Sequence, residues 1–429
     1  VAAARNNAKR RARCRGGRTV TPPTVKAATA ASARPRRTSA LTAFGARLGS
    51  TISSAWHELL HGDPGTIPAL DALRSLAILL VFSDHAFFNF SQYSHSDLRI
   101  GRFPLILFGW TGVDLFFVLS GYLIGGQLWR ELKRSGHIRI GRFLLRRGLR
   151  IWPYYFAFCA FVLLTAGRPP LQFLPDLVFL SNYFTGHIAG GWSLSTEEQF
   201  YIIVPLLMLA MSRSLGIARQ WIPLVVLLAT LPIIRAIVLA VHGAHQHGST
   251  EMLLVTYTPI HTHADGLVAG VLLSWLSVMH PAAVAARPFL RNLPIPVVIA
   301  LLGLALRHLS PDLFAFTGLA AVFGAATLFL LRDRSWLTLF TGARVFHFLS
   351  RLSYSMYLNH FVVLGYLGRL LWRPGHGLPA TTAAFIGWYV LALMISIAIA
   401  VLTFTLIEWP FLQLRDRILH VQHRAPAAT

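Results

Sequence analysis

Residues 67–90 read IPALDALRSLAILLVFSDHAFFNF, and this stretch decides the fold. Its run of Ala, Leu, Ile, Val and Phe is long enough to cross a hydrocarbon core, which takes roughly 20 apolar residues in a helix. Comparable runs recur at 104–127, 151–167, 198–212, 220–242, 264–279, 294–308, 312–331, 353–371 and 381–407. The pattern predicts an all-α polytopic membrane protein of about ten transmembrane helices. Composition agrees: 55% of the 429 residues are hydrophobic and 13% are charged, whereas a soluble domain is usually about a quarter charged. The stretch 171–184 is apolar but short, and Pro169, Pro170 and Pro175 interrupt it, so it reads as interfacial or re-entrant.

Within the first span, Arg74 and His85 stand eleven positions apart. Eleven residues of helix turn through about 1100°, roughly 20° past three full turns, so the two share a face about 16 Å apart. Asp71 lies one turn before Arg74 on that face. Ionisable groups inside a bilayer are expensive and need a partner or a task. A salt-bridged packing stripe would satisfy the physics, but Asp, Arg and His on one face of a span favour a site.

Outward from this helix, charge sets the expected orientation. Arg130, Lys133, Arg134, Arg139, Arg142, Arg146, Arg147 and Arg150 face a single acid, Glu131, in residues 130–150. Positive loops stay in the cytoplasm, as do the basic stretches 332–351 and 415–424, and ten spans then put both termini there. Residues 1–50 hold 12 of the 39 Lys and Arg and no acid. Residues 1–60 are therefore expected to form a disordered basic cytoplasmic tail, 61–415 the membrane domain, and 416–429 a short cytoplasmic tail. Basic tails before a first span are commonly topology signals, so no nucleic-acid partner is expected. The two cysteines, Cys14 and Cys159, support neither a disulfide framework nor a metal site.

Four further motifs carry chemistry. GWTGVDLFFVLSGYLIGG (109–126) places Asp114 in the outer half of the second span, and Ser120, Gly121 and Gly125 allow close helix approach. GRFLLRRGLRIWPYYF (141–156) brings Arg146, Arg147 and Arg150 together, either as a topology signal or as forks for phosphate oxygens. GGWSLSTEEQFY (190–201) opens a span, with Glu197 and Glu198 expected near its N-terminus, Ser195 as a candidate cap, and Trp192 beside the acids as a sugar platform. RLSYSMYLNHF (351–361) sets Tyr354, Tyr357 and His360 at successive i+3 positions on one face.

At these residues the chain resembles the acyltransferase 3 family of membrane acyltransferases, many of which acetylate bacterial surface glycans. The carriers are LDALRSLAILLVFSDH (70–85), GVDLFFVLSGYLI (112–124), RRGLRIWP (146–153), WSLSTEEQFY (192–201), SYSMYLNH (353–360) and the acid before proline, Glu408–Trp409–Pro410. The order and spacing match over about 66–415. Two positions depart: HTHADGL has His263 where the family often has arginine, and LIEWP has Trp409 where arginine is frequent.

The resemblance implies a multi-pass protein of the bacterial inner membrane. It implies acyl transfer from cytoplasmic acyl-CoA, acetyl-CoA first among donors, to a hydroxyl of an extracytoplasmic glycan or lipid-linked saccharide, with no metal. Catalysis is then expected at His85, Arg74 and Asp71. Acyl-CoA binding is expected at Arg146, Arg147, Arg150, Ser120, Tyr354 and His360, and acceptor binding at Asp114, Trp192, Glu197 and Glu198. His85 would serve as general base or carry the acyl group covalently. Arg74 would hold the thioester carbonyl or the developing oxyanion. The competing class is a transporter without bond making, since intramembrane ionisable residues also mark transport paths; the inverted repeats that would support it are not visible.

Overall fold

The computed structural model describes residues 40–61, 66–95, 98–242, 253–285, 289–332, 340, 342–372 and 379–419. The expected tail over 1–39, residues 333–339 and 341 of the basic stretch 332–351, and the chain end 420–429 lie outside them. The described residues form helices and connecting turns, with no strand among them. The described residues from Arg47 onward form one compact unit.

The helices are α1 (Ala40–His61), α2 (Pro68–Ser94), α3 (Gly112–Ser135), α4 (Ile140–Ala166), α5 (Gly191–Ser214), α6 (Trp221–His242), α7 (Asp265–Met279), α8 (Pro294–Leu309), α9 (Pro311–Arg332), α10 (Arg344–Leu371), α11 (Thr382–Thr403) and α12 (Trp409–Ile418). Each of the ten apolar stretches overlaps one of the helices α2 to α11, although 104–127 begins on two short helical turns before α3. Among the described residues, six helical segments suffice by length and composition to cross a membrane: 109–135, 140–166, 191–214, 217–242, 311–332 and 382–418. The shortfall from ten has two causes. α7 and α8 are apolar but only 15 and 16 residues long. α2 and α10 are 27 and 28 residues long, yet they carry too many polar residues, and these two helices bear His85 and His360. Residues 170–177 form two short helical turns and no span, as the prolines predict.

Burial is inverted relative to a soluble protein. Leu164, Val226, Ile233, Leu302 and Met394 stand exposed, while Arg235, Asp265, His263, His360 and Ser355 are fully buried. An apolar outside and a polar inside suit lipid as the solvent. α2 and α10 pack along each other, as do α3 and α7. In the second pair, a methyl group added at Gly121 or Gly270 would overlap the backbone of the facing helix, so the small residues act in packing, as in close membrane helix contacts.

One correction concerns the N-terminus. Unstructured chain was expected up to residue 60, but a helix runs from Ala40 to His61. Ala55 and Leu59 are buried. Trp409 Nε1 donates to Ser54 Oγ at 2.8 Å, Glu58 pairs with Arg351, and the Glu58 carbonyl oxygen lies 3.0 Å from His347 Nε2. Composition flagged the charge of this segment but not the face it buries.

A fully buried ion pair ties α6, α7 and α9. Arg235 donates from Nη1 to Asp265 Oδ2 at 2.7 Å and to the Thr262 carbonyl at 2.8 Å. It donates from Nη2 to Asp265 Oδ1 at 3.2 Å and Thr317 Oγ1 at 2.7 Å, and from Nε to the Leu313 carbonyl at 2.6 Å. Removing one partner leaves an uncompensated buried charge. Arg235→Met is expected to destabilise by about 3–5 kcal/mol, with partial recovery in Arg235→Met/Asp265→Leu; thermal unfolding in detergent measures both.

Candidate active site

Two cavities lie inside the bundle and share two wall residues, Val113 and Tyr357. The first is basic. Arg74 from α2 faces Arg147 and Arg150 from α4, Glu197 and Tyr201 from α5, Ser120 from α3, and Ser353 and Tyr354 from α10. Tyr201 donates to Glu197 Oε2 at 2.7 Å, and Ser120 Oγ lies 3.4 Å from the Tyr201 hydroxyl. Arg147 donates from Nη2 to Gln127 Oε1 at 2.9 Å, and Tyr354 donates to the Ile151 carbonyl at 2.8 Å. Three guanidinium groups in one apolar-walled chamber attract an anionic ligand, and their forks match phosphate or carboxylate geometry.

The second cavity is aromatic. His85 and Asp84 of α2 share it with Trp110, Trp192, Tyr257, Tyr357 and Phe361. His85 Nδ1 lies 2.8 Å from His360 Nε2, and His360 Nδ1 lies 3.1 Å from the Met356 carbonyl oxygen. The two imidazoles stack with centroids 5.1 Å apart and planes 16° apart. Asp84 Oδ2 stands 4.0 Å from His85 Nε2.

The partition between the cavities is built by α10 and the turn before α5. The Tyr357 hydroxyl lies 2.5 Å from Ser193 Oγ and donates to the Gly190 carbonyl at 3.1 Å. Gly190 has φ 75°, and a methyl group there would lie 3.0 Å from the Tyr357 hydroxyl. Glycine is thus required twice, by its backbone conformation and by the phenol against it.

The structure sorts the expected residues. Arg74, Arg147, Arg150, Ser120, Tyr354 and Glu197 line the basic cavity; His85 and Trp192 line the aromatic one. Arg146 lines neither. Asp71 does not pair with Arg74: its Oδ2 lies 2.9 Å from His347 Nδ1, and Ser350 donates to its Oδ1 at 2.7 Å. It fastens α2 to the start of α10. His360, expected among the donor-binding residues, sits behind His85 instead.

Asp114 lines neither cavity; its Oδ1 lies 2.9 Å from His263 Nε2, and His263 Nδ1 lies 2.6 Å from the Tyr257 carbonyl oxygen. His263, which stands where the resembled motif often has arginine, thus meets Asp114 of α3. Glu197 and Glu198 fall in the second turn of α5, which begins at Gly191. Ser195 bonds Ser181 at 2.8 Å and caps nothing. Glu198 accepts from Trp152 Nε1 at 3.0 Å, away from both cavities.

Asp84, Trp110 and Tyr257 were missed. Asp84 had a signal, since it precedes His85 directly. Trp110 lies on a short turn and Tyr257 on a π-helical turn, neither of which hydropathy resolves.

The fold and these cavities define a multi-span helical membrane protein with ionisable groups gathered inside the bundle. The chain belongs to the acyltransferase 3 family: residues 67–405 match that family's acyltransferase domain. It is 26% identical over 199 residues to the peptidoglycan O-acetyltransferase OatA of Listeria monocytogenes, covering 41% of this chain and 30% of that protein. It is 24% identical over 394 residues to a protein of Staphylococcus aureus named "Putative O-acetyltransferase", covering 80% of this chain and 57% of the relative. A Bacillus subtilis protein named "Putative peptidoglycan O-acetyltransferase YrhL" is 32% identical over 162 residues, covering 33% of this chain and 23% of the relative. The chain thus spans less than two thirds of the length of these relatives. No solved structure matches.

Gly190→Ala tests the partition. Forcing a non-glycine residue into the left-handed region costs roughly 1–2 kcal/mol, and the added methyl also displaces Tyr357 from Ser193. Gly136→Ala is the control, because Gly136 has φ 72° with nothing within 4 Å of an added methyl. Thermal unfolding is expected to fall further for Gly190→Ala than for Gly136→Ala.

Proposed function

We propose that this protein is an integral enzyme of the bacterial cytoplasmic membrane that moves an acyl group, acetyl first, from cytoplasmic acyl-CoA to a hydroxyl of an extracytoplasmic glycan or lipid-linked saccharide. The observation that carries the reading is the His85–His360 hydrogen bond beside an open aromatic cavity. The Met356 carbonyl can only accept, so His360 Nδ1 carries a proton and His360 Nε2 is an acceptor. His85 Nδ1 is then the donor, and His85 Nε2 keeps its lone pair, a tautomer assigned from the hydrogen-bond pattern.

In the proposed reaction the acceptor hydroxyl gives its proton to His85 Nε2 as its oxygen attacks the acyl carbonyl carbon. The C–O bond forms, the carbon–sulfur bond of the thioester breaks, and coenzyme A leaves as the thiolate, which takes the proton back. His85 is the general base, and His360 is a positioning residue that fixes its ring and tautomer.

Arg74, Arg147 and Arg150 suit the anionic donor, because guanidinium forks match phosphate oxygens. The basic residues at 130–150 favour that side as cytoplasmic. Arg74 and His85 are separated by about 16 Å along α2. Arg74 therefore grips the donor in its own cavity, and the acyl end passes Tyr357 to reach His85.

The test uses the full chain in proteoliposomes with labelled acetyl-CoA and a surface-glycan extract. His85→Ala and Arg74→Ala are expected to lose transfer while still inserting, His85→Ala by at least 100-fold, as for removal of a general base. His360→Leu is expected to follow His85→Ala, whereas His360→Gln, whose amide oxygen can accept from His85 Nδ1, retains measurable transfer. Full activity in a well-inserted His85→Ala protein would overturn the reading.

A further inference from the structure

Asp84 is the carboxylate that lines the His85 cavity, and it has no task in the reaction above. Its carboxylate stands 4.0 Å from His85 Nε2, beyond hydrogen-bonding distance. Among the described residues it has no other ion-pair partner. It is held there by its own helix and by a tight neighbour: a methyl group at Gly109 would lie 2.6 Å from Asp84 Cβ. That close approach brings the turn Gly109–Thr111, and with it Trp110, against α2 at the level of Asp84. The Arg307 guanidinium lies 5.3 Å from the centre of the Trp110 ring and helps to fix it.

The cavity thus offers two acceptor atoms side by side, His85 Nε2 and a carboxylate oxygen, with Trp110, Trp192 and Tyr257 in the same lining. A single hydroxyl has one proton and can donate to only one of them. Two hydroxyls on neighbouring carbons can donate to both, one to each. Aromatic faces with a few fixed polar groups are the usual way a concave site holds and orients a ligand.

We propose that Asp84 selects the acceptor: it accepts a hydrogen bond from the hydroxyl next to the one that reacts, so that the substrate class is a vicinal diol, as on a pyranose ring, and the acylated position is set relative to that neighbour. Asp84 is a positioning residue, and the bond it makes leaves the covalent step unchanged. This rests on the acyl-transfer reading and deepens it.

The test measures initial acetyl transfer by the full chain in proteoliposomes to trans-1,2-cyclohexanediol and, separately, to trans-1,4-cyclohexanediol. The wild type is expected to prefer the 1,2-diol by about 10-fold or more, the scale of one hydrogen bond to a charged group. Asp84→Ala is expected to bring the ratio to near one. Asp84→Asn, which keeps the shape and a carbonyl acceptor, is expected to fall between. A residue that merely supported the charge on His85 would lower both rates equally and leave the ratio intact. An unchanged ratio in Asp84→Ala, or a wild-type protein without preference, overturns the proposal. Transfer to the glycan extract with none to either diol also overturns it. No acyl transfer to any acceptor would instead remove the reading on which it rests.

Discussion

An apolar bundle in lipid can hold an ionisable side chain only where that side chain has a partner, because no water is available to replace one. That constraint organises the interior of this protein. Arg235 satisfies it most completely, with five hydrogen bonds to Asp265, Thr317 and two backbone carbonyls. Asp71 satisfies it with His347 and Ser350, and Asp114 with His263. Each partnership joins segments 30 or more positions apart, so it fixes which segments are neighbours as well as neutralising a charge. Buried pairs of this kind contribute little net stability, but breaking one is costly; their service here is to specify the arrangement.

Against that background, the groups that face cavities stand out. Arg74, Arg147 and Arg150 gather around one chamber with Glu197 the one acid on its wall. An excess of positive charge inside an apolar wall is costly in the empty state and is relieved when an anion enters. His85 and Asp84 likewise face space rather than a closed network. Arg235, Asp71 and Asp114 face other protein groups, whereas Arg74, Arg147, Arg150, His85 and Asp84 line the two cavities.

The sequence made part of this legible. Hydropathy found the helices, because the length needed to span lipid is a strong constraint. Helical periodicity put Arg74 and His85 on one face and Tyr354 and Tyr357 in one row, because those relations are internal to a helix. Partner choice across the bundle stayed hidden. Nothing local to Asp71 says that His347, 276 positions away, takes it instead of Arg74 three positions away. The same holds for His360, whose i+3 spacing from Tyr357 suggested a shared cavity although its ring turns toward His85. As acids near one end of a span, Asp114 and Glu198 suggest contact with a ligand, yet Asp114 bonds the His263 ring and Glu198 the Trp152 ring.

Tyr357 and Val113 give the two cavities a common wall, and this has a consequence for the proposed chemistry. The basic chamber suits a charged, water-soluble donor, and the aromatic chamber suits a polyhydroxylated acceptor. Were they one open channel, water admitted with either substrate would reach the acyl group and hydrolyse it. A phenol latched to Ser193 and Gly190 keeps them apart at rest. Its hydroxyl is held by those two hydrogen bonds. In the proposed reaction the ring of Tyr357 would be the point that the acyl end of the donor passes while its anionic part stays with the arginines, and competing water would be excluded at that same ring.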